Sequence, residues 1–217
     1  MYIPGAFREE DQSVLHDFMQ QNNFAVLVTS NDGQLCATHL PFYLDPSRGQ
    51  HGTLVAHMAR ANAQWKTFDG EHEALIIFQG AHAYISPSWY EPTQTNVPTW
   101  NMAVVHAYGV PRIITDDEQM YRMLTQLVDA HELGFESPWS IQNSEASVHR
   151  QLAAIVGFEI TITRLEGKFK LSQNRSETDQ QHVIEALSQS LNELDRQVAG
   201  LMDQRVSADN HLPTKNR

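Results

Sequence analysis

Along the first hundred residues the apolar positions gather in short runs, and each run ends at a turn signal. Residues 24–30 form a nearly continuous apolar stretch that stops at Asn31, Asp32 and Gly33. Asp followed by Gly favours the positive backbone φ of a tight hairpin, so a strand at 24–30 is answered by a returning strand at 35–44. Further short strands are predicted at 53–57, 74–78, 83–86 and 102–108. Val14, Leu15, Phe18 and Met19 recur at helical spacing and predict a helix over 13–21. Ala61, Trp65 and Phe68 place another over 62–68.

The second half changes character. Thr115, Asp116, Asp117 and Glu118 read as a capping box ahead of a buried stripe at Met120, Leu124, Leu127 and Val128. A helix over 144–156 is expected to end at Gly157, a suitable residue for a helix C-terminus. Residues 158–163 alternate as a strand, and a turn near Glu166 and Gly167 leads into a second alternating strand. Ser176 opens one long helix whose apolar face is Val183, Ile184, Leu187, Leu191, Leu194, Val198 and Leu201. Residues 206–217 are polar and expected to be loose. Strands joined by hairpin turns, with helices inserted late, predict an α+β protein built on an antiparallel barrel with helices around it. The regular strand–helix alternation of a doubly wound sheet is missing, and so are a G-x-G-x-x-G and a P-loop. The expected organisation is one domain over 1–175, a helix at 176–205 packed on it, and a polar tail at 206–217.

Charge narrows the partners. With 15 Lys and Arg against 26 Asp and Glu the net charge is -11, so the mean field repels nucleic acid and anionic membranes. Residues 176–217 do not reverse this, carrying seven acids and four bases. No run approaches the roughly 18 apolar residues that span a bilayer. The start of the chain lacks the charged-then-apolar pattern of a secretory signal, so a cytoplasmic protein is expected. The single cysteine, Cys36, cannot form an internal disulfide and is expected as a buried small thiol. Against this acidic background residues 164–175 carry four bases and one acid. Strand alternation puts Lys168, Lys170 and Ser172 on one face and Phe169 and Leu171 on the other. The cationic face either holds a phosphate or carboxylate or is an ordinary solvated strand face.

Histidine is plentiful, at 11 residues, but no pair has helical metal-ligand spacing. His39, His57, His82 and His106 fall in or beside strands, where a structural role is the default, and no metal site is expected. No G-x-S-x-G elbow supports a serine nucleophile. Residues 86–100 hold Pro87, Pro92 and Pro98 among Trp89, Tyr90 and Trp100. Such an aromatic loop suits a planar ligand, or its rings plug the end of the barrel. Arg60 and Asn62 stand where a strand gives way to a helix, a place for an anion contact or for plain capping.

Seven ordered motifs carry a resemblance: Tyr2, Ile3, Pro4 and Phe7; Thr38 through Phe42; His57, Asn62 and Trp65; Ser88, Trp89 and Tyr90; Val97 through Asn101; Val105 through Gly109; and Lys168 through Arg175. The chain resembles the PaiB family, described as FMN-binding negative transcriptional regulators, over nearly its whole length. The resemblance implies an FMN-binding split β-barrel like that of pyridoxamine phosphate oxidases and small flavin reductases. It also implies a homodimer with flavin in a cleft at the subunit interface. By the same analogy Thr38 and His39 approach the flavin ring, and Arg60 and Asn62 sit near the phosphate. Trp100 and Asn101 line the ring, and Lys170 and Gln173 arrive from the partner subunit. Two departures stand out: Met102 where many relatives carry tyrosine, and Ala63 where proline is expected. The regulator reading and the acidic charge pull apart, so an indirect regulator, an FMN-dependent oxidoreductase or haem-related enzyme, and a flavin-free scaffold all remain open.

Overall fold

A computed structural model describes residues 1–91 and 96–211. Pro92 of the aromatic loop and the last six residues of the expected tail lie outside the described residues. The strands are β1 (Arg8–Glu9), β2 (Phe24–Asn31), β3 (Gln34–Pro41), β4 (Tyr43–Asp45), β5 (Thr53–Ala59), β6 (Ala74–Ile85), β7 (Thr99–Gly109), β8 (Pro111–Ile113), β9 (Ile155–Thr161) and β10 (Arg164–Lys170). The helices are α1 (Gln12–Gln21), α2 (Asp117–Glu132), α3 (Glu145–Leu152), α4 (Glu177–Ser188) and α5 (Glu193–His211). One sheet has the order β1-β10-β7-β6-β2-β3 and the other β4-β5-β9-β8. The fold is α+β, with its strands arranged in two antiparallel sheets.

Contacts divide the chain into two units, each assembled from separated segments. One comprises Met1–Glu10, Gln79–Val104 and Gly167–Arg217; the other comprises Asp11–Phe78 and Val105–Glu166. Strands β6, β7 and β10 each begin in one unit and end in the other.

The larger unit is organised by the hairpin the sequence predicts. Asp32 and Gly33 take φ values of 49° and 78°, and β2 pairs with β3 from Phe24↔Pro41 to Asn31↔Gln34. Phe42 packs edge-on against Phe78 and Phe158, and Phe68 lies 5.1 Å from Phe158 between ring centroids. On β5 the alternation sets Val55 and His57 on one face, opposite Leu54, Ala56 and Met58. Val55 belongs to a second core cluster with Ile114, Met120, Met123 and Leu127, the apolar stripe of α2. The cap of α2 is Asp116, whose carboxylate accepts from Gln119 N at 2.7 Å, one residue beyond the predicted Thr115. Gly157 does not end a helix. It lies in β9 opposite His57, and a Cβ there would come within 2.5 Å of Met120 Sδ, so glycine lets α2 approach the strand. The helix predicted over 144–156 is correspondingly shorter, because β9 claims its last residues to pair with β5.

In the smaller unit β1 pairs with β10 through Arg8↔Lys168 and Glu9↔Gly167. Ile85, Leu171, Val183, Leu187, Val198 and Met202 form its buried core. The long helix predicted from Ser176 runs as two, α4 and α5. Between them Asn192 N donates to Ser190 Oγ at 3.1 Å, and Leu194 N donates to Asn192 Oδ1 at 3.1 Å. These side chains satisfy backbone groups that a continuous helix would have used, and Leu191 is left 99% exposed. The two strands predicted at 74–78 and 83–86 are one strand, β6, because Gly80 passes through extended backbone without a turn.

Candidate functional site

In the smaller unit the predicted residues meet around the end of β10. Lys170 is its last residue, and its Nζ donates to Thr99 Oγ1 at 2.7 Å and to Trp100 O at 2.6 Å. An ammonium has three donors, so one remains. No carboxylate pairs with Lys170 among the described residues. Burial, and after it the nearby charges of Lys168 and Arg175, holds its ammonium below the ordinary lysine range. Two residues on, Ser172 adopts φ 63° and turns the chain inward. Ser172 therefore does not share the face of Lys168 and Lys170 as alternation suggested, because β10 has already ended.

That turn is held by two of the predicted residues. Asn101, fully buried on β7, donates through Nδ2 to Ser172 Oγ at 2.9 Å. Gln173 Oε1 accepts from Leu171 N at 2.7 Å, while its Nε2 donates to Phe169 O. Both amides are thus spent on the scaffold that aims Lys170. Trp100, half exposed, makes an aromatic patch with Tyr84, edge-on at 5.9 Å, and His82 at 6.1 Å. Nδ1 of His82 is buried with no hydrogen-bond partner among the described residues. Sequence reasoning passed over Tyr84 and His82 as members of the site. The signal was present: Ala81, Ala83 and Ile85 alternate inward, which sends His82 and Tyr84 to the other face of β6.

In the larger unit Thr38 and Asn62 come together: Asn62 Nδ2 donates to Thr38 Oγ1 at 2.9 Å. Asn62 Oδ1 accepts from Gln64 N at 3.0 Å and so caps a 3-10 turn, Ala63–Thr67, where a regular helix was predicted. His39 projects outward from β3, with its ring stacked on Phe24 at 6.4 Å. Cys36, expected inside, is exposed, because β3 ends the strand order and most of its residues face solvent. Gln64 was not anticipated either. It is buried, with Nε2 within 3.2 Å of Leu27 O, Thr29 Oγ1 and Cys36 O, and so braces the β2–β3 hairpin from beneath.

Arg60, expected as an anion contact or a plain surface residue, is tied to the backbone. Its Nε donates to Ala153 O and its Nη2 to Ile155 O, both at 2.7 Å. These bonds fix the guanidinium plane and leave Nη1 unspent. No acid pairs with Arg60 among the described residues. Arg60 and Trp65 line a cavity of about 450 Å³ together with Asp117 and His149. Each unit therefore offers a cation without a carboxylate partner, in a chain with a large surplus of acids. The smaller unit adds exposed aromatic faces. Within the smaller unit, a cation beside aromatic faces suits an anionic group on a planar aromatic body.

Comparison with known proteins agrees. The sequence profile of the family described as "Putative FMN-binding domain" matches residues 1–164. The chain is 38% identical over 208 residues to the protease synthase and sporulation protein PAI 2 of Bacillus subtilis, covering 95% of this chain and 98% of that protein. An uncharacterized protein of Emericella nidulans is 29% identical over 244 residues, covering 94% and 97%. Among solved structures, the FAD and heme binding protein from Mycobacterium smegmatis superposes with a TM-score of 0.58 at 16% identity, over 75% of this chain and 73% of that one. The flavocytochrome Anf3 from Azotobacter vinelandii gives a TM-score of 0.53 at 12% identity, over 75% and 69%. At these identities the structural likeness speaks for the split-barrel fold.

Proposed function

The chain belongs to this family of FMN-binding domains, and from that premise we propose that it holds FMN and works as a flavin-binding protein that lowers gene expression indirectly. Lys170 carries the flavin half of the reading. A half-buried ammonium pressed by two other cations and faced by no acid is an unfavourable arrangement that a bound phosphate relieves. Arg60 supplies a second cation, with its plane already fixed by two backbone carbonyls. Trp100 and Tyr84 offer surface for the ring, and Thr38, His39 and Asn62 add polar groups at one strand end. Asn101 and Gln173 act at one remove, by holding the turn after Lys170. FMN, once bound, supplies redox chemistry; the chain binds it, orients it and shields it from water. We assign the flavin to the interface of a homodimer, with Lys170 from one subunit and the group around Thr38 and Asn62 from the other.

The regulatory half rests on the Bacillus subtilis relative, whose name ties it to protease synthesis and sporulation and whose whole length this chain matches. The charge of -11 argues that any effect on transcription passes through a protein partner or a metabolite, in the cytoplasm, and does not require this chain to grip DNA. The deciding measurement is the visible spectrum of purified protein before and after adding FMN and removing the excess, followed by NADPH. Retained flavin that NADPH reduces slowly supports a regulator; rapid bleaching would move the assignment to an oxidoreductase. Arg60→Ala is expected to weaken FMN binding by about tenfold, the scale of one charge-assisted contact. Unchanged affinity removes Arg60 from the site.

A further inference from the structure

Within the larger unit, α2 and α3 flank a half-open cavity of about 430 Å³ over the outer face of β5. The volume lies in the range of small-molecule pockets. Its walls are largely aliphatic, from Leu124, Val128, Ile141, Val148 and Ile155, with the indole of Trp139 beside them. Not one lining residue is a Lys, Arg, Asp or Glu. The polar groups are few: His57, Ser144, Ser147 and Gln151.

Two further observations point to a ligand. First, α3 has no buried residue at all, although Val148 and Leu152 give it an apolar face. That face is only partly covered: Leu152 packs against the cluster around Val55 and Met120, and Val148 lines the cavity. Second, His57 lines the cavity, and with its Nδ1 buried and without a hydrogen-bond partner among the described residues, the other ring nitrogen is the one within reach of a ligand. Burial also holds the His57 imidazole below its ordinary range, so the ring is neutral at neutral pH and has one donor and one acceptor. Ser147 Oγ already accepts from Gln151 Nε2 at 3.3 Å, which leaves its hydroxyl hydrogen to donate.

We infer that this cavity is a binding site for a neutral, mainly apolar small molecule, planar or nearly so, that carries a single hydroxyl or amide-type group for His57. The absence of lining charge excludes phosphates and carboxylates, because burying an ion without a partner costs more than the apolar contacts return. The site is separate in its chemistry from the cationic one proposed for FMN, and it stands whether or not FMN binds.

A series of three probes of one shape tests it by fluorescence titration of the full-length protein: 2-naphthol, 2-methoxynaphthalene and 2-naphthoate. Saturable binding of 2-naphthol is expected, weaker by about tenfold for the methyl ether, which cannot donate, and undetectable for the carboxylate. His57→Leu should bring 2-naphthol down to the affinity of the ether and leave the ether unchanged. Ser147→Phe, which fills the cavity from α3, should abolish binding of both. FMN titration and the melting temperature of each variant are recorded alongside and are expected to match the wild type. Equal binding of 2-naphthoate and 2-naphthol overturns the inference, as does 2-naphthol binding that survives Ser147→Phe in a folded variant, or no saturable binding to the wild type. Failure to bind FMN with normal 2-naphthol binding would count against the proposed flavin function alone.

Discussion

At the scale of single residues, the decisive feature is a lysine whose surroundings work against its own charge. An anion bound beside Lys170 favours the protonated ammonium, so binding takes up a proton wherever the free protein has begun to lose it. The affinity for FMN should therefore be highest below the depressed Lys170 titration and fall as pH rises through it. Lys170→Met keeps most of the stem and removes the charge. We expect it to weaken FMN binding by about ten- to a hundredfold and to flatten that alkaline slope, as read by flavin fluorescence titration. A wild-type profile without the slope would place the phosphate elsewhere. Much of this residue was legible in the sequence, because four bases within residues 164–175 of an acidic chain are conspicuous in any register. What surrounds it was not. Thr99, Asn101 and Gln173 reach Lys170 or its turn through a positive φ at Ser172, and period-two alternation cannot foresee where it will be broken. Gln64 was equally hidden, since a glutamine in a polar-looking helix gives no sign that its amide will be buried against three oxygens.

At the scale of elements, the sequence marked most strands correctly and erred at junctions, where tertiary pairing outbids local propensity. Gly157 is the clearest instance: it looked like a helix stop and is a point of close approach. Gly109 is tighter still, because a Cβ there would lie 2.4 Å from Thr161 O, a backbone atom that cannot rotate away. Gly157 faces the flexible ends of Met120 and Met123 instead. Gly109→Ala is accordingly expected to lose about 3 kcal/mol in urea unfolding and Gly157→Ala about 1 kcal/mol. Equal losses would mean that β7 and β9 are not as closely apposed as described. The break between α4 and α5 offers a second check. Leu191 belonged to the predicted buried stripe, yet it is almost wholly exposed, so Leu191→Ser should change stability by less than about 0.5 kcal/mol. A loss of ~2 kcal/mol or more would restore the single helix that the periodicity suggested.

At the scale of the whole molecule, no helix among the described residues is long and apolar enough to cross a membrane. The family assignment was readable because whole motifs, rich in Trp, His and Asn, recur in order; their chemistry is local and survives in sequence. The division into units was not, since it depends on which distant segments meet. The proposed dimer makes a specific arithmetic expectation. Light scattering should give twice 24.6 kDa. If Lys170 and Arg60 reach one flavin from different subunits, mixing Lys170→Met and Arg60→Ala proteins and allowing exchange creates heterodimers with one intact site. About a quarter of all sites should then recover FMN binding, half the dimers being mixed and each having one whole site. No recovery after demonstrated exchange would put both residues on the same subunit's site.

The pairing of β1 with β10 has a bearing on how the chain is made. Arg8 and Glu9 leave the ribosome about 160 residues ahead of their strand partners, Lys168 and Gly167. The smaller unit, drawn from three separated segments, cannot assemble on a nascent chain until the segment that follows Glu166 has been translated. Its closure is therefore a late event, governed by long-range encounters that are slow compared with local helix formation. Until those segments meet, Lys170 has neither Thr99 nor Trp100 to hold it, so the proposed cofactor contact follows closure of this unit.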